Sequence, residues 1–101
     1  MESDQILRRL GLVIRRHRER LKLTQEAFAD EHEINRTYYS AIERGTQNLS
    51  ILNVARLARA LGVALSRLLR EAEGVDLSSA KRTSIQPIRR GRPPGRKSSW
   101  R

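Results

Sequence analysis

The chain has 101 residues, with 21 Lys and Arg against 11 Asp and Glu and a net charge of +10. That length accommodates one small domain and an appended segment, and the cationic excess favours a polyanionic partner, nucleic acid or an anionic membrane surface. The absence of cysteine excludes disulfides and thiolate metal sites, two histidines are too few for a metal centre, and neither a bilayer-spanning run nor a secretory start is present, so a cytoplasmic protein without a cofactor is expected.

In chain order, Leu7, Leu10, Ile14, His17 and Leu21 recur at intervals of three and four, the apolar stripe of a first helix that stops near Lys22. Thr24 is the N-cap residue of a second helix, from about Gln25 to His32, that buries Phe28 and Ala29. Asn35 caps a third, running to Arg44, with Gly45 available for a left-handed C-terminal turn. Tyr39 and Ile42 share one face of that helix, with Ile34 just before it.

Ser50 caps a fourth helix whose apolar face is Ile51, Val54, Leu57, Ala58 and Leu61, and Gly62 ends it. A fifth spans about Leu65 to Glu73. No alternating pattern of strand type occurs, so the fold class expected is all-α: a five-helix body over residues 1–73 and a tail over 74–101. Charge divides at the same place. The body carries 13 basic and 10 acidic side chains, a net of +3, and the tail eight basic and one acidic, a net of +7. Pro87, Pro93, Pro94, Gly91 and Gly95 forbid a continuous helix there, and the tail has too little apolar surface to offset ordering, so it is expected to be disordered in the free protein.

Two short helical patterns either side of a tight connection, Leu23 to Gly45, are how a helix-turn-helix looks in sequence, and they point to DNA. The segment from Leu10 to Leu69, about six-tenths of the chain, resembles the five-helix DNA-binding domain of phage repressors and the Xre family. It is also similar to the controller proteins of restriction-modification systems. The residues that carry the resemblance are Leu23-Thr24-Gln25-Glu26, Arg36-Thr37-Tyr38, Ile42-Glu43-Arg44-Gly45, Asn48-Leu49-Ser50 and Leu57 to Val63.

The resemblance implies that the third helix lies in the major groove. Arg36, Thr37, Ser40 and Ala41 then fall at positions that meet base edges, Arg36 as a bidentate partner of guanine, with Asn35 and Arg44 beside them. Gln25 becomes a phosphate clamp at the start of the second helix, and Tyr38 reaches a phosphate. The alternative for each of these residues is a solvated helix face. The resemblance also pairs Arg18 with Glu43, joining the first helix to the third as a partly buried structural contact. The chain departs from the family at Glu33, where glycine is usual in the turn, at Leu49, where proline is usual, and at Ala64, a poor cap for the fifth helix. His17 and His32 stand at positions usually apolar; half-buried core histidines are expected there.

In the tail, Arg90-Gly91-Arg92-Pro93 resembles the core of an AT-hook, a peptide of the A·T-rich minor groove. Arg89, Arg96 and Lys97 would flank it on phosphates. The alternative is a non-specific cationic arm.

The function expected is a sequence-specific transcriptional regulator of double-stranded DNA, a homodimer through Leu65, Leu68 and Leu69 unless those leucines serve the core. Its activity would be set by its concentration or by a protein partner. Two other functions fit the same domain: an antitoxin that represses its own operon, and an architectural protein of the nucleoid that coats A·T-rich DNA. No nucleophile–base set or phosphate-cradling glycine loop suggests an enzyme, and the tail cannot form the amphipathic helix that membrane binding needs.

Overall fold

Three side chains start helices in this fold, and two glycines stop them. In the computed structural model, which describes residues 3–75 and Leu77, the chain forms α1 (Ser3–Arg20), α2 (Gln25–Glu31), α3 (Arg36–Arg44), α4 (Ile51–Leu61) and α5 (Leu65–Gly74). Thr24 Oγ1 accepts from the Ala27 amide at 3.1 Å, Asn35 Oδ1 from Tyr38 at 2.9 Å and Ser50 Oγ from Asn53 at 3.1 Å. Each cap satisfies an amide that the first turn leaves without a partner, worth about 1 kcal/mol. Gly45 and Gly62 turn left-handed after α3 and α4, and Thr46 and Val63 then donate back to the carbonyls of Ala41 and Ala58. α5 has no such start: Ala64 makes no side-chain cap bond.

The same left-handed stop is used twice without glycine. Lys22 (φ 63°) follows α1, and Glu33 (φ 58°) lies in the turn between α2 and α3, where Ile34 donates to the Ala29 carbonyl at 2.8 Å. The left-handed conformation costs a non-glycine residue roughly 1–2 kcal/mol. At Glu33 the closing hydrogen bonds and the burial of Ile34 hold it.

Every helix contributes to one core. Leu10, Val13 and Ile14 of α1 meet Phe28 and Ala29 of α2, Tyr39 and Ile42 of α3, Val54, Leu57, Ala58 and Leu61 of α4, and Leu68 and Ala72 of α5. α1 packs against both α3 and α5. Gly11 makes the α1–α3 approach possible, because a Cβ there would lie 2.5 Å from the carbonyl oxygens of both Ile42 and Glu43.

The apolar stripes of the sequence extend past the core at several points. Leu21 is 45% exposed because α1 has already ended at Arg20 and the chain is turning through Lys22. Ile51, expected on the inner face of α4, is 65% exposed, since the first residue of that helix projects beyond the core edge. Leu68, expected at a dimer surface with Leu65 and Leu69, is wholly enclosed by the chain's own core, while Leu65 and Leu69 are half-buried.

The described chain continues past α5. Val75 is buried, its carbonyl accepts a hydrogen bond from Arg9, and Leu77 packs on the core.

His17 is buried with its Nε2 2.7 Å from Glu71 Oε1, and Arg67 Nε lies 2.9 Å from Glu71 Oε2. The hydrogen bond from His17, then that from Arg67, holds the Glu71 carboxyl below the usual carboxylate range. Among the described residues no helix is long and apolar enough to cross a membrane, and no group of three or more potential ligands could hold a metal ion.

Candidate nucleic-acid interface

Glu43 organises the inner side of the α2–α3 unit. Its carboxylate takes a two-pronged contact from Arg18, Nε to Oε2 at 2.7 Å and Nη2 to Oε1 at 3.0 Å. The Tyr39 hydroxyl donates to Oε2, and Gln25 Nε2 donates to Oε1 at 2.8 Å. Arg18 also donates from Nη1 to the Leu23 carbonyl at 2.7 Å, tying α1 to the segment before α2.

The side chains of Arg18 and Glu43 are only 3% and 2% exposed. A charge pair removed from water survives when its remaining donors and acceptors are also satisfied, and this network satisfies them. Burial opposes the Arg18 charge, but the hydrogen bonds and charge of Glu43 outweigh it, so the guanidinium is held above its ordinary range. Burial, and then the neighbouring Glu43 charge, push the Tyr39 hydroxyl far above the usual phenol value.

This network bears on Gln25. One hydrogen of its side-chain amide, expected at a phosphate, is taken by Glu43. The network thus orients Gln25 from behind.

On the outer side, Gln25, Glu26, Arg36, Thr37, Ser40 and Arg44 line one open cleft of about 350 Å³ between the start of α2 and the length of α3. Five of these are residues the sequence singled out for DNA contact. Thr37 and Arg44 are exposed, and Arg44 Nη1 donates to Ser40 Oγ at 2.8 Å. Asn35 is exposed at the α3 cap, and Ala41 is half-buried. Tyr38 stands apart from the cleft: its hydroxyl accepts from the buried Asn53 at 3.0 Å, an α3–α4 contact.

Arg36 is held from the side. Its Nε lies 3.1 Å from Asp30 Oδ1 and its Nη2 2.7 Å from Asp30 Oδ2, a bidentate pair spanning the helix-turn-helix corner. The hydrogen bond to Asp30 keeps the Arg36 guanidinium above its ordinary range.

Sequence reasoning did not find Asp30, Glu26 or Asn53. Asp30 and Arg36 are six residues apart across a turn, outside the three- and four-residue spacings that mark helix pairs. Glu26 adjoins Gln25 on the first turn of α2, and its Oε1 is buried without a hydrogen bond among the described residues. The tail residues Arg89, Arg90, Gly91, Arg92, Arg96 and Lys97 lie outside the described residues.

Comparison with known proteins finds similar chains among control proteins and gene regulators. Control protein C.MunI from Mycoplasma sp is 41% identical over 56 residues, 55% of this chain and 76% of that protein. The restriction-modification controller protein C.AhdI from Aeromonas hydrophila superimposes with a TM-score of 0.61 at 31% identity, over 67% of this chain and 99% of that one. The clp gene regulator ClgR from C. glutamicum gives a TM-score of 0.64 at 29% identity, over 68% of this chain and 88% of that one. Family and fold are those of transcription regulators and not of enzymes. The helix-turn-helix family model matches residues 14–68, more than half of the chain, and this protein belongs to that family.

Proposed function

We propose that this protein is a sequence-specific regulator of transcription that lays α3 in the major groove of double-stranded DNA. The observation that carries this reading is the convergence of Gln25, Arg36, Thr37, Ser40 and Arg44 on one open cleft of the α2–α3 unit, in a chain of net charge +10. Arg36 is the guanine reader, Thr37, Ser40 and Ala41 meet neighbouring base edges, and Asn35, Arg44 and Tyr38 contact the backbone. The start of α2 at Gln25 approaches a phosphate through its backbone amides.

A single domain of this size touches few base pairs, so specificity calls for a homodimer on two half-sites about one helical turn apart. Leu65 and Leu69, half-buried on α5, are the apolar residues assigned to that contact. The Arg90-Gly91-Arg92-Pro93 core, with Arg89, Arg96 and Lys97, enters an adjacent A·T-rich minor groove. Among regulators, the likeness to C.MunI and C.AhdI favours control of a restriction-modification system.

Binding of Arg36→Ala to selected and to random duplexes tests the assignment. Specific binding should weaken by about 1–3 kcal/mol while salt-sensitive random binding largely persists. Equal loss on both duplexes would remove Arg36 from base reading.

A further inference from the structure

We infer that Asp30 is the positioning residue that sets how Arg36 reads DNA, fixing the guanidinium plane and suppressing its use as a general phosphate contact. This inference rests on the base-reading role proposed for Arg36.

The pair is bidentate, at 3.1 and 2.7 Å, with side chains 26% and 22% exposed. Asp30 takes the Nε–Nη2 side of the guanidinium. A guanidinium whose plane a carboxylate fixes meets O6 and N7 of a guanine in a set orientation, so one arginine serves the carboxylate and the base in the same plane. A long arginine otherwise loses rotamer freedom when it docks, and here Asp30 has restricted it beforehand.

Backbone bonds and two side-chain caps close the turn around Asp30. The bonds from Ile34 to the Ala29 carbonyl and from Glu33 to the Asp30 carbonyl are backbone bonds, and the caps at Thr24 and Asn35 are separate from the Asp30 side chain. Phe28, Ala29, Ile34 and Tyr39 pack the corner from inside. To Arg36 the carboxylate adds direction and charge.

Its charge also acts against random binding. A negative group beside the cleft repels phosphate and offsets the Arg36 cation, so a phosphate gains little there. A guanine edge in the correct place gains a pre-aligned donor pair. Asp30 therefore exchanges general affinity for discrimination.

The experiment measures binding of the full chain to its selected operator, to every single-base variant of one half-site, and to random duplex, at several salt concentrations. Five proteins are compared: wild type, Asp30→Asn, Asp30→Ala, Arg36→Ala and the double variant Asp30→Asn/Arg36→Ala, with thermal melting on each. Arg36→Ala identifies the base pair that Arg36 reads.

Asp30→Asn should lower discrimination at that base pair alone by about tenfold. It should strengthen random binding and steepen its salt dependence by about 0.9 log unit, one more phosphate contact. On the Arg36→Ala background it should leave discrimination unchanged. Asp30→Ala should repeat the pattern if loss of fold is not the cause, and melting reads the fold directly. If Arg36→Ala abolishes discrimination at one base pair and Asp30→Asn does not weaken it there, Asp30 is only a tether across the turn and the inference is wrong. If Arg36→Ala itself changes no base preference, the base-reading role fails and the role of Asp30 falls with it.

Discussion

Arg18 and Glu43 meet through hydrogen bonds of 2.7 and 3.0 Å, and neither side chain is more than 3% exposed. The contact fastens α1 to the last turn of α3, so the helix that faces the cleft is held from behind by a charge pair. Replacing Glu43 with Gln leaves Arg18 without its counter-charge at a site that water does not reach. Denaturant unfolding should show a loss of about 3–5 kcal/mol. A loss below about 1 kcal/mol would mean that the pair behaves as an exposed one.

Gly11 and Gly74 make opposite predictions for the same substitution. Alanine normally favours a helix interior over glycine by roughly 1 kcal/mol. At Gly11 the new methyl would meet the carbonyls of Ile42 and Glu43 at 2.5 Å, and α1 and α3 would have to separate. Gly11→Ala should therefore destabilise by about 1–3 kcal/mol. Gly74→Ala, with nothing within 4 Å, should be neutral or stabilising by up to about 1 kcal/mol. Two melting curves decide the matter, and equal effects would contradict the close α1–α3 approach.

Lys22 sits at φ 63° after α1, where glycine would carry no steric cost. Lys22→Gly should raise stability by about 0.5–1 kcal/mol, the relief of the left-handed strain less the added freedom of the unfolded chain. A fall in the midpoint of denaturant unfolding would show that Lys22 contributes a contact worth more than the strain.

Tyr39 predicts the alkaline limit. Its hydroxyl is pushed far above the ordinary phenol value, by burial first and the Glu43 charge second. Above pH about 10 the unfolded tyrosine releases its proton while the folded one keeps it, so the folded state binds more protons and stability falls as pH rises. Below pH about 10 the contribution is fully present. Relative to Tyr39→Phe, the wild type should lose about 1.4 kcal/mol more per pH unit above that point. Parallel pH profiles would contradict a buried, protonated Tyr39.

What the sequence made legible is local. Thr24, Asn35, Ser50, Gly45 and Gly62 announce helix ends because capping is a contest between a side chain and the next few amides, and the structure uses all five. Periodicity locates a helix face but not the edge of the core, which is why Ile51 and Leu21 emerge exposed and Leu68 enclosed. Asp30 was hidden for another reason. An acid on a surface meant for a polyanion looks like an ordinary solvated residue until the fold turns Arg36 back onto it. The link from Gln25 to Glu43 was likewise invisible, since it depends on α2 crossing the end of α3.

The most direct test is selection of bound sequences from random duplex DNA, run on the full chain and on residues 1–80, which retain Val75 and Leu77. If α3 reads base edges, both proteins should enrich the same palindromic core, and the full chain alone should add A·T-rich flanks. Enrichment of A·T content without any core would contradict the major-groove assignment and make the protein an architectural binder of DNA.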